Sequence, residues 1–230
     1  MKPILLFDID GTLLRVKKSF LQQTLTDILK DQGISSGILN DMSFAGRTDR
    51  DIFNELITRS QNHNGISEKE REAQFTDLKN AYLRMMLNEM DSETMTVFES
   101  VSETLYYLKN EGYHLGLCTG NFREIAYKKV MAAGFGDFFE FGGFGCDHAD
   151  RKHLPQEAHH SFVSFSGLSP APYEYLVIGD TPNDIRCARH FGAGVIAVTT
   201  GGHSEDELKS HQPDYVMHSL RNPAEWIKMV

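Results

Sequence analysis

Ile4-Leu5-Leu6-Phe7-Asp8-Ile9-Asp10-Gly11-Thr12-Leu13-Leu14 decides how the rest of this chain is read. The four apolar residues at its start have the length and composition of a strand buried on both faces, as in parallel sheets. Two carboxylates follow, spaced two apart, where that strand ends. Open α/β sheets place their chemistry at the carboxyl ends of strands. Ionised carboxylates are costly to bury unless they are paired or hold a cation. The pattern therefore points to a hard cation and an aspartate able to act as a nucleophile.

The remainder supplies the sheet that such a strand needs. From about Phe98 onward, helical and strand-like segments alternate. Strands are expected at Tyr113 to Cys118, Phe139 to Phe141, Tyr175 to Ile178, Val195 to Val198 and Tyr215 to Met217. Helices are expected at Ser102 to Lys109, Asn121 to Ala133, Pro155 to Phe165, Pro182 to Phe191 and Pro223 to Lys228, with Gly134 as a C-terminal cap. Alternation of this kind builds a parallel sheet with helices on both faces. Gly134 to Gly145 reads as loop, short strand and loop.

Between the first strand and this alternating half, apolar residues recur at helical spacing. Phe20, Leu21, Leu25, Ile28 and Leu29 form one stripe. Ile52, Phe53, Leu56 and Ile57 form a second, and Leu78, Tyr82, Met85 and Met86 a third. Breaks fall near Gly33 to Gly37 and near Asn62 to Gly65. The expected architecture is a doubly wound α/β domain, residues 1–15 plus 96–230, interrupted by a helical bundle at 16–95.

Composition limits the possible roles. The 230 residues carry a formal charge of −9, which argues against a nucleic-acid partner. No apolar run approaches the roughly 18 residues of a membrane span, and the start of the chain lacks a signal-peptide pattern. Cys118, Cys146 and Cys187 have no metal-like spacing and read as reduced thiols, so a cytoplasmic protein is expected.

The acidic pair has a counterpart about 170 residues on. Leu176-Val177-Ile178 runs into Gly179-Asp180-Thr181-Pro182-Asn183-Asp184. Asp180 ends a strand, and Asp184 lies one helical turn later, facing the same way. Two acidic motifs that each end a buried strand are best explained by one shared cation. Magnesium suits oxygen donors and keeps several waters. Thr119, Gly120 and Asn121 also follow a strand. There a hydroxyl and backbone amides can hold phosphoryl oxygens, and Asn121 also reads as a helix N-cap.

These motifs resemble those of the haloacid dehalogenase superfamily, specifically its phosphatases. Asp8, Asp10, Gly11 and Thr12 match DxDGT. Thr119 matches the second motif, and Gly179, Asp180 and Asp184 match GDxxxD. The resemblance implies a Rossmann-like core and a mobile helical cap. It implies Asp8 as nucleophile, Asp10 as acid and base, and Thr119 as a phosphoryl donor. Mg²⁺ would be held by Asp8, Asp180 and the Asp10 carbonyl, with Asp184 acting through water or by orienting these ligands. The family's basic residue falls in Asp150-Arg151-Lys152-His153-Leu154-Pro155. Lys152 fits the Lys-x-x-Pro register, with His153 where a proline is usual, and Arg151 is the alternative. Gly11, Thr12, Gly120, Asn121, Arg151 and Arg47 are expected at the substrate. Arg47 suits a carboxylate or phosphate, or simply begins a helix in which Thr48 and Asp51 have capping-box spacing.

The layout resembles phosphoglycolate phosphatases, so a small phosphorylated metabolite of that kind is the expected substrate, acted on by a monomer or homodimer. A phosphosugar mutase like β-phosphoglucomutase shares the motifs. A non-catalytic phospholigand-binding protein would have lost Asp8 or Asp10. Dehalogenases lack the second aspartate. Phosphonoacetaldehyde hydrolase needs a Schiff-base lysine in the cap, where only Lys17 and Lys18 stand near the start. His148, His153, His159 and His160, with Asp147 and Asp150, read as a polar loop and an exposed helix face, a zinc site being the alternative.

Overall fold

The computed structural model describes residues 2–61 and 66–229, so the expected break at Asn62 to Gly65 lies outside the described residues. The chain opens with β1 (Ile4–Phe7) and β2 (Leu14–Val16). Three helices follow: α1 (Lys18–Asp31), α2 (Asp49–Ser60) and α3 (Glu68–Glu89). It then returns through β3 (Met95–Val97). The alternating half comprises α4 (Val101–Asn110), β4 (Leu115–Thr119), α5 (Arg123–Ala132), β5 (Phe141–Phe144) and α6 (Leu154–Ser166). It continues with β6 (Tyr175–Gly179), α7 (Pro182–Phe191), β7 (Gly194–Val198), α8 (Glu205–Ser210), β8 (Tyr215–Met217) and α9 (Pro223–Trp226).

Six strands form one sheet in the order β5-β4-β1-β6-β7-β8, and every pairing in it is parallel. Strand β1 is central, with Phe7 opposite Leu117 on one side and Ile178 on the other. Alternate side chains of a strand leave opposite faces, and β1 divides its side chains accordingly. Leu5 and Phe7 pack in a core with Leu105, Leu108, Ile125 and Trp226. Ile4 and Leu6 pack with Leu154, Phe162, Ile185 and Leu208. Both faces are thus covered by helices, which makes the fold doubly wound.

Strand β5 lies about two residues later than its apolar pattern predicts. Gly142 and Gly143 hide it in the sequence. At Gly143 a Cβ would run into the Leu154 carbonyl, so α6 approaches the sheet only because no side chain is there. Three short elements escape the sequence reading. The strands β2 and β3 pair antiparallel across the points where the helical segment leaves and returns, and α8 is six residues long with one buried residue, Leu208. Helix α2 buries its expected stripe, α1 buries Leu25, Ile28 and Leu29 with Phe20 and Leu21 half-buried, and α3 buries Leu78, Tyr82 and Met86. Their apolar faces continue into the first core. Phe53 of α2 stacks on Phe122 with ring centroids 5.6 Å apart, and Tyr82 meets both rings edge-on.

Candidate active site

Because β1, β4 and β6 are adjacent and parallel, their carboxyl ends bring Asp8, Thr119 and Asp180 together. All three are buried. Asp184 joins them from the first turn of α7. Thr181 caps that helix and its hydroxyl and amide both donate to Asp184, at 2.7 and 2.9 Å. Carboxylate oxygens of Asp8, Asp180 and Asp184 lie within 4.8 Å of one another. Among the described residues this is the one group arranged to hold a metal ion. The histidines after β5 form no such group. His148 and His153 pack ring against ring, and His159 pairs with the Tyr175 hydroxyl at 3.0 Å.

Crowding like charges in a dry pocket makes them resist ionisation. Burial, reinforced by Asp184 and Asp10, pushes the Asp8 carboxyl up to about 6 despite the opposing pull of Arg151. Burial, with Asp8 and Asp184 adding to it, pushes Asp180 up to about 8. Such a donor set is chemically suited to a divalent cation, which would reverse both shifts.

The basic residue of the site is Arg151, which corrects the expectation of Lys152. The Arg151 guanidinium is buried and bridges Asp184 at 2.5 Å and Asp8 at 2.9 Å. Burial opposes its charge, but Asp184 and Asp8 outweigh that and hold its pKa well above the ordinary value. Lys152 points outward and pairs with Asp150 at 2.8 Å. Residues 151–153 form one tight helical turn opening α6. Consecutive side chains there diverge by roughly 100–120°, so only one of two neighbours can face the sheet.

Other expectations also need correction. The Gly11 amide donates to the Leu14 carbonyl at 2.8 Å, and the Thr12 hydroxyl donates to Asp180 at 3.2 Å. Both residues therefore shape the loop and its carboxylates rather than presenting these donors to a phosphate. Gly11 adopts φ +93°, and a Cβ there would strike the Asp180 carboxylate. Asn121 does not cap α5. The helix begins at Arg123, and the Phe122 amide donates across to Asp49 at 2.7 Å. Asn121 lines the same cavity as Thr119 and Gly120, while its Oδ1 is buried away from solvent with no hydrogen-bond partner among the described residues. Arg47 lines that cavity too, but its guanidinium is committed to Asp51 at 2.7 Å, to Glu55 and to the Ser43 carbonyl at 3.1 Å. Thr48 caps α2 as expected, accepting from the Asp51 amide at 3.1 Å.

Two residues were missed. Lys129 is buried, and its Nζ lies 2.5 Å from Asp10 Oδ2. Its position between Ile125, Ala126 and Val130 on the buried face of α5 was a legible signal, because a lysine on an apolar stripe needs a partner. Asp49 is buried beside it, and burial pushes its carboxyl up to about 6 against the pull of Lys129. Nothing local marked Asp49, since an aspartate in a first helical turn is ordinarily solvated.

Three carboxylates gathered at the carboxyl edge of a doubly wound sheet, with a buried arginine bridging two of them, place this chain among the hydrolases of α/β class whose site lies at the strand ends. Residues 5–198 match the family described as Haloacid dehalogenase-like hydrolase, and the chain belongs to it. Pyrophosphatase PpaX of Bacillus pumilus is 25% identical over 218 residues, covering 94% of this chain and 91% of that protein. Phosphoglycolate phosphatase 1 of Pseudomonas aeruginosa is 27% identical over 222 residues, covering 95% and 77%. The fold also matches a β-phosphoglucomutase from Clostridium difficile, with a TM-score of 0.71 at 17% identity over 100% of this chain and 96% of that one. No helix among the described residues is long and apolar enough to cross a membrane.

Proposed function

We propose that the protein is a Mg²⁺-dependent phosphomonoesterase working through an aspartyl phosphate, with residues 1–15 and 96–230 as its core and 16–95 as a cap. The observation that carries this reading is Asp8 at the end of β1, touching Arg151 and gathered with Asp180 and Asp184. Asp8, Asp180 and Asp184 would hold a divalent ion, and the family resemblance would add the Asp10 carbonyl to them. When bound, the ion neutralises the carboxylates and the transferring phosphoryl group.

An Asp8 oxygen attacks phosphorus while the bond to the leaving oxygen breaks. Asp10 gives that oxygen a proton, later takes one from the attacking water, and Asp8 is regenerated as phosphate departs. Arg151 balances charge at Asp8, and Thr119 with the amides after it donates to phosphoryl oxygens. Lys129 fixes the direction of the Asp10 carboxylate.

Phosphate release from a panel of phosphomonoesters, with Mg²⁺ and with chelator, beside an Asp8→Asn control, tests the reading. Metal-dependent release that the control loses is expected. Release that survives in Asp8→Asn would sink it. Phosphoglycolate, named in relatives of this chain, belongs in the panel as the reference substrate.

A further inference from the structure

The cavity over Asp8 has two ends of opposite character. Asp8, Asp180, Thr119 and Arg151 stand at one end. Away from them, Leu21, Leu25, Phe44, Ile52, Phe53 and Met86 supply an apolar wall drawn from α1, the turn before α2, α2 and α3. The volume is about 640 Å³. Pockets of about 300–1,000 Å³ hold drug-sized organic ligands. A two-carbon leaving group would occupy a small part of this space and leave the apolar wall wet, and such wetting is unfavourable.

The charges beyond the phosphate end point the same way. A leaving group bearing a carboxylate or phosphate needs a cation that is free to meet it. Arg47 is held by Asp51 and Glu55, Lys129 by Asp10, and Arg15 by the carbonyls of Thr200 and Gly201 at 2.7 and 2.9 Å. Drawing Lys129 onto a substrate anion would strip Asp10 of its partner and bring the new charge near Asp49. Lys18, the other cation along the lining, is exposed, where water screens an ion pair and leaves it worth little. Tyr82 is buried in the same wall and, by that burial and the nearby Asp49 and Asp10, stays a neutral phenol. Within the buried wall the polar point offered to a leaving group is thus this uncharged hydroxyl.

We infer that the substrate is the phosphate monoester of an uncharged, largely apolar alcohol, alkyl or aryl, and not of a hydroxy acid, a second phosphate or a sugar. The inference rests on the phosphomonoesterase reading and adds the chemistry of the leaving group to it.

The test is kcat/KM for ethyl, butyl and hexyl phosphate, whose alcohols have nearly equal acidity, beside phosphoglycolate and pyrophosphate. Full burial corresponds to about fourfold per methylene. A rise of at least ~10-fold from ethyl to hexyl phosphate is expected, with both anionic compounds below hexyl phosphate. Phe44→Ser, at a half-buried turn, is expected to flatten the dependence on chain length, a ratio unaffected by how much protein is active. Calorimetric binding of the matching alkylphosphonates separates the two ideas. Turnover with no dependence on chain length, or with phosphoglycolate preferred, overturns the inference and leaves the phosphomonoesterase standing. Tighter binding with length but no turnover of any ester overturns the catalytic reading and keeps the apolar pocket. Neither turnover nor length-dependent binding overturns both.

Discussion

Arg151 and Lys152 are adjacent and equally charged, and the Lys-x-x-Pro register favoured Lys152, yet Arg151 is buried against Asp8 and Asp184 and Lys152 is in solvent. Their difference is measurable. Removing one preorganised charge partner from an active site costs about 100–1,000-fold in kcat. Arg151→Met should lose at least ~100-fold in kcat/KM, and Lys152→Met should stay within about twofold. Comparable losses in the two variants, with both folded by circular dichroism, would refute the assignment. The motifs made Asp8, Thr119, Asp180 and Asp184 legible because each is fixed by a strand end or a helix turn, which local pattern reveals. The choice between 151 and 152 was illegible because it depends on the phase of a single turn against the sheet. Asp49 yields a second prediction. Its carboxyl is held near 6, above the 3.8 of an ordinary aspartate. A carboxyl raised in the folded state binds more protons there than in the unfolded chain, so its contribution is complete below about pH 4 and is lost as pH rises through 6. Asp49→Asn keeps an acceptor for the Phe122 amide and removes that loss. The variant should be more stable than the parent by about 1–3 kcal/mol at pH 8, converging with it near pH 4. Urea melts at both pH values check this, and an equal offset at the two would contradict it.

At the scale of elements, the start of α2 is the seam between the inserted helices and the sheet. Thr48 accepts from Asp51 to cap the helix and donates its hydroxyl to the Ala149 carbonyl at 2.6 Å. The Asp49 amide donates to the Gly120 carbonyl at 2.7 Å, and the Asn183 amide group to the Gly46 carbonyl at 2.7 Å. Loss of an N-cap costs about 1 kcal/mol, and a bond between segments is lost with it. Thr48→Val should therefore lower Tm by about 2–6 °C and raise KM more than it lowers kcat, since it loosens the wall and not the reacting groups. A change in kcat alone would place Thr48 in the chemistry instead. This seam was only partly readable. The capping spacing of Thr48 and Asp51 lies within one helix and was visible, whereas the partners across the seam are 71 to 137 residues distant and have no local signature. Strands β2 and β3 were missed for a related reason. Three-residue strands carry too little alternation to stand out, and what holds them is their pairing with each other.

For the whole molecule, a chain of charge −9 gathers three carboxylates at one end of its sheet with a single buried guanidinium touching two of them. The fold bears this only in part through protonation, with Asp8 held near 6 and Asp180 near 8. Both values lie above those of an unfolded chain. As for Asp49, their folded-state contribution is complete below about pH 4 and drains away as pH climbs towards 8. A divalent ion binds the ionised trio, so its stabilising effect has the opposite pH dependence and grows as the protons leave. The difference between melts with saturating Mg²⁺ and with chelator isolates this, because Asp49 titrates equally in both. At a free Mg²⁺ concentration near 100 Kd the ion adds about 2.7 kcal/mol, which corresponds to roughly 5–10 °C for a chain of this size. The Mg²⁺ shift in Tm is expected to approach that value at pH 8.5 and to shrink several-fold at pH 5.5. Asp180→Asn should abolish it at both pH values while raising the metal-free Tm at pH 8.5, because it removes the carboxyl most resistant to ionisation. A Mg²⁺ shift independent of pH, or one that survives Asp180→Asn, would mean that the ion binds elsewhere and that Arg151 alone balances the site.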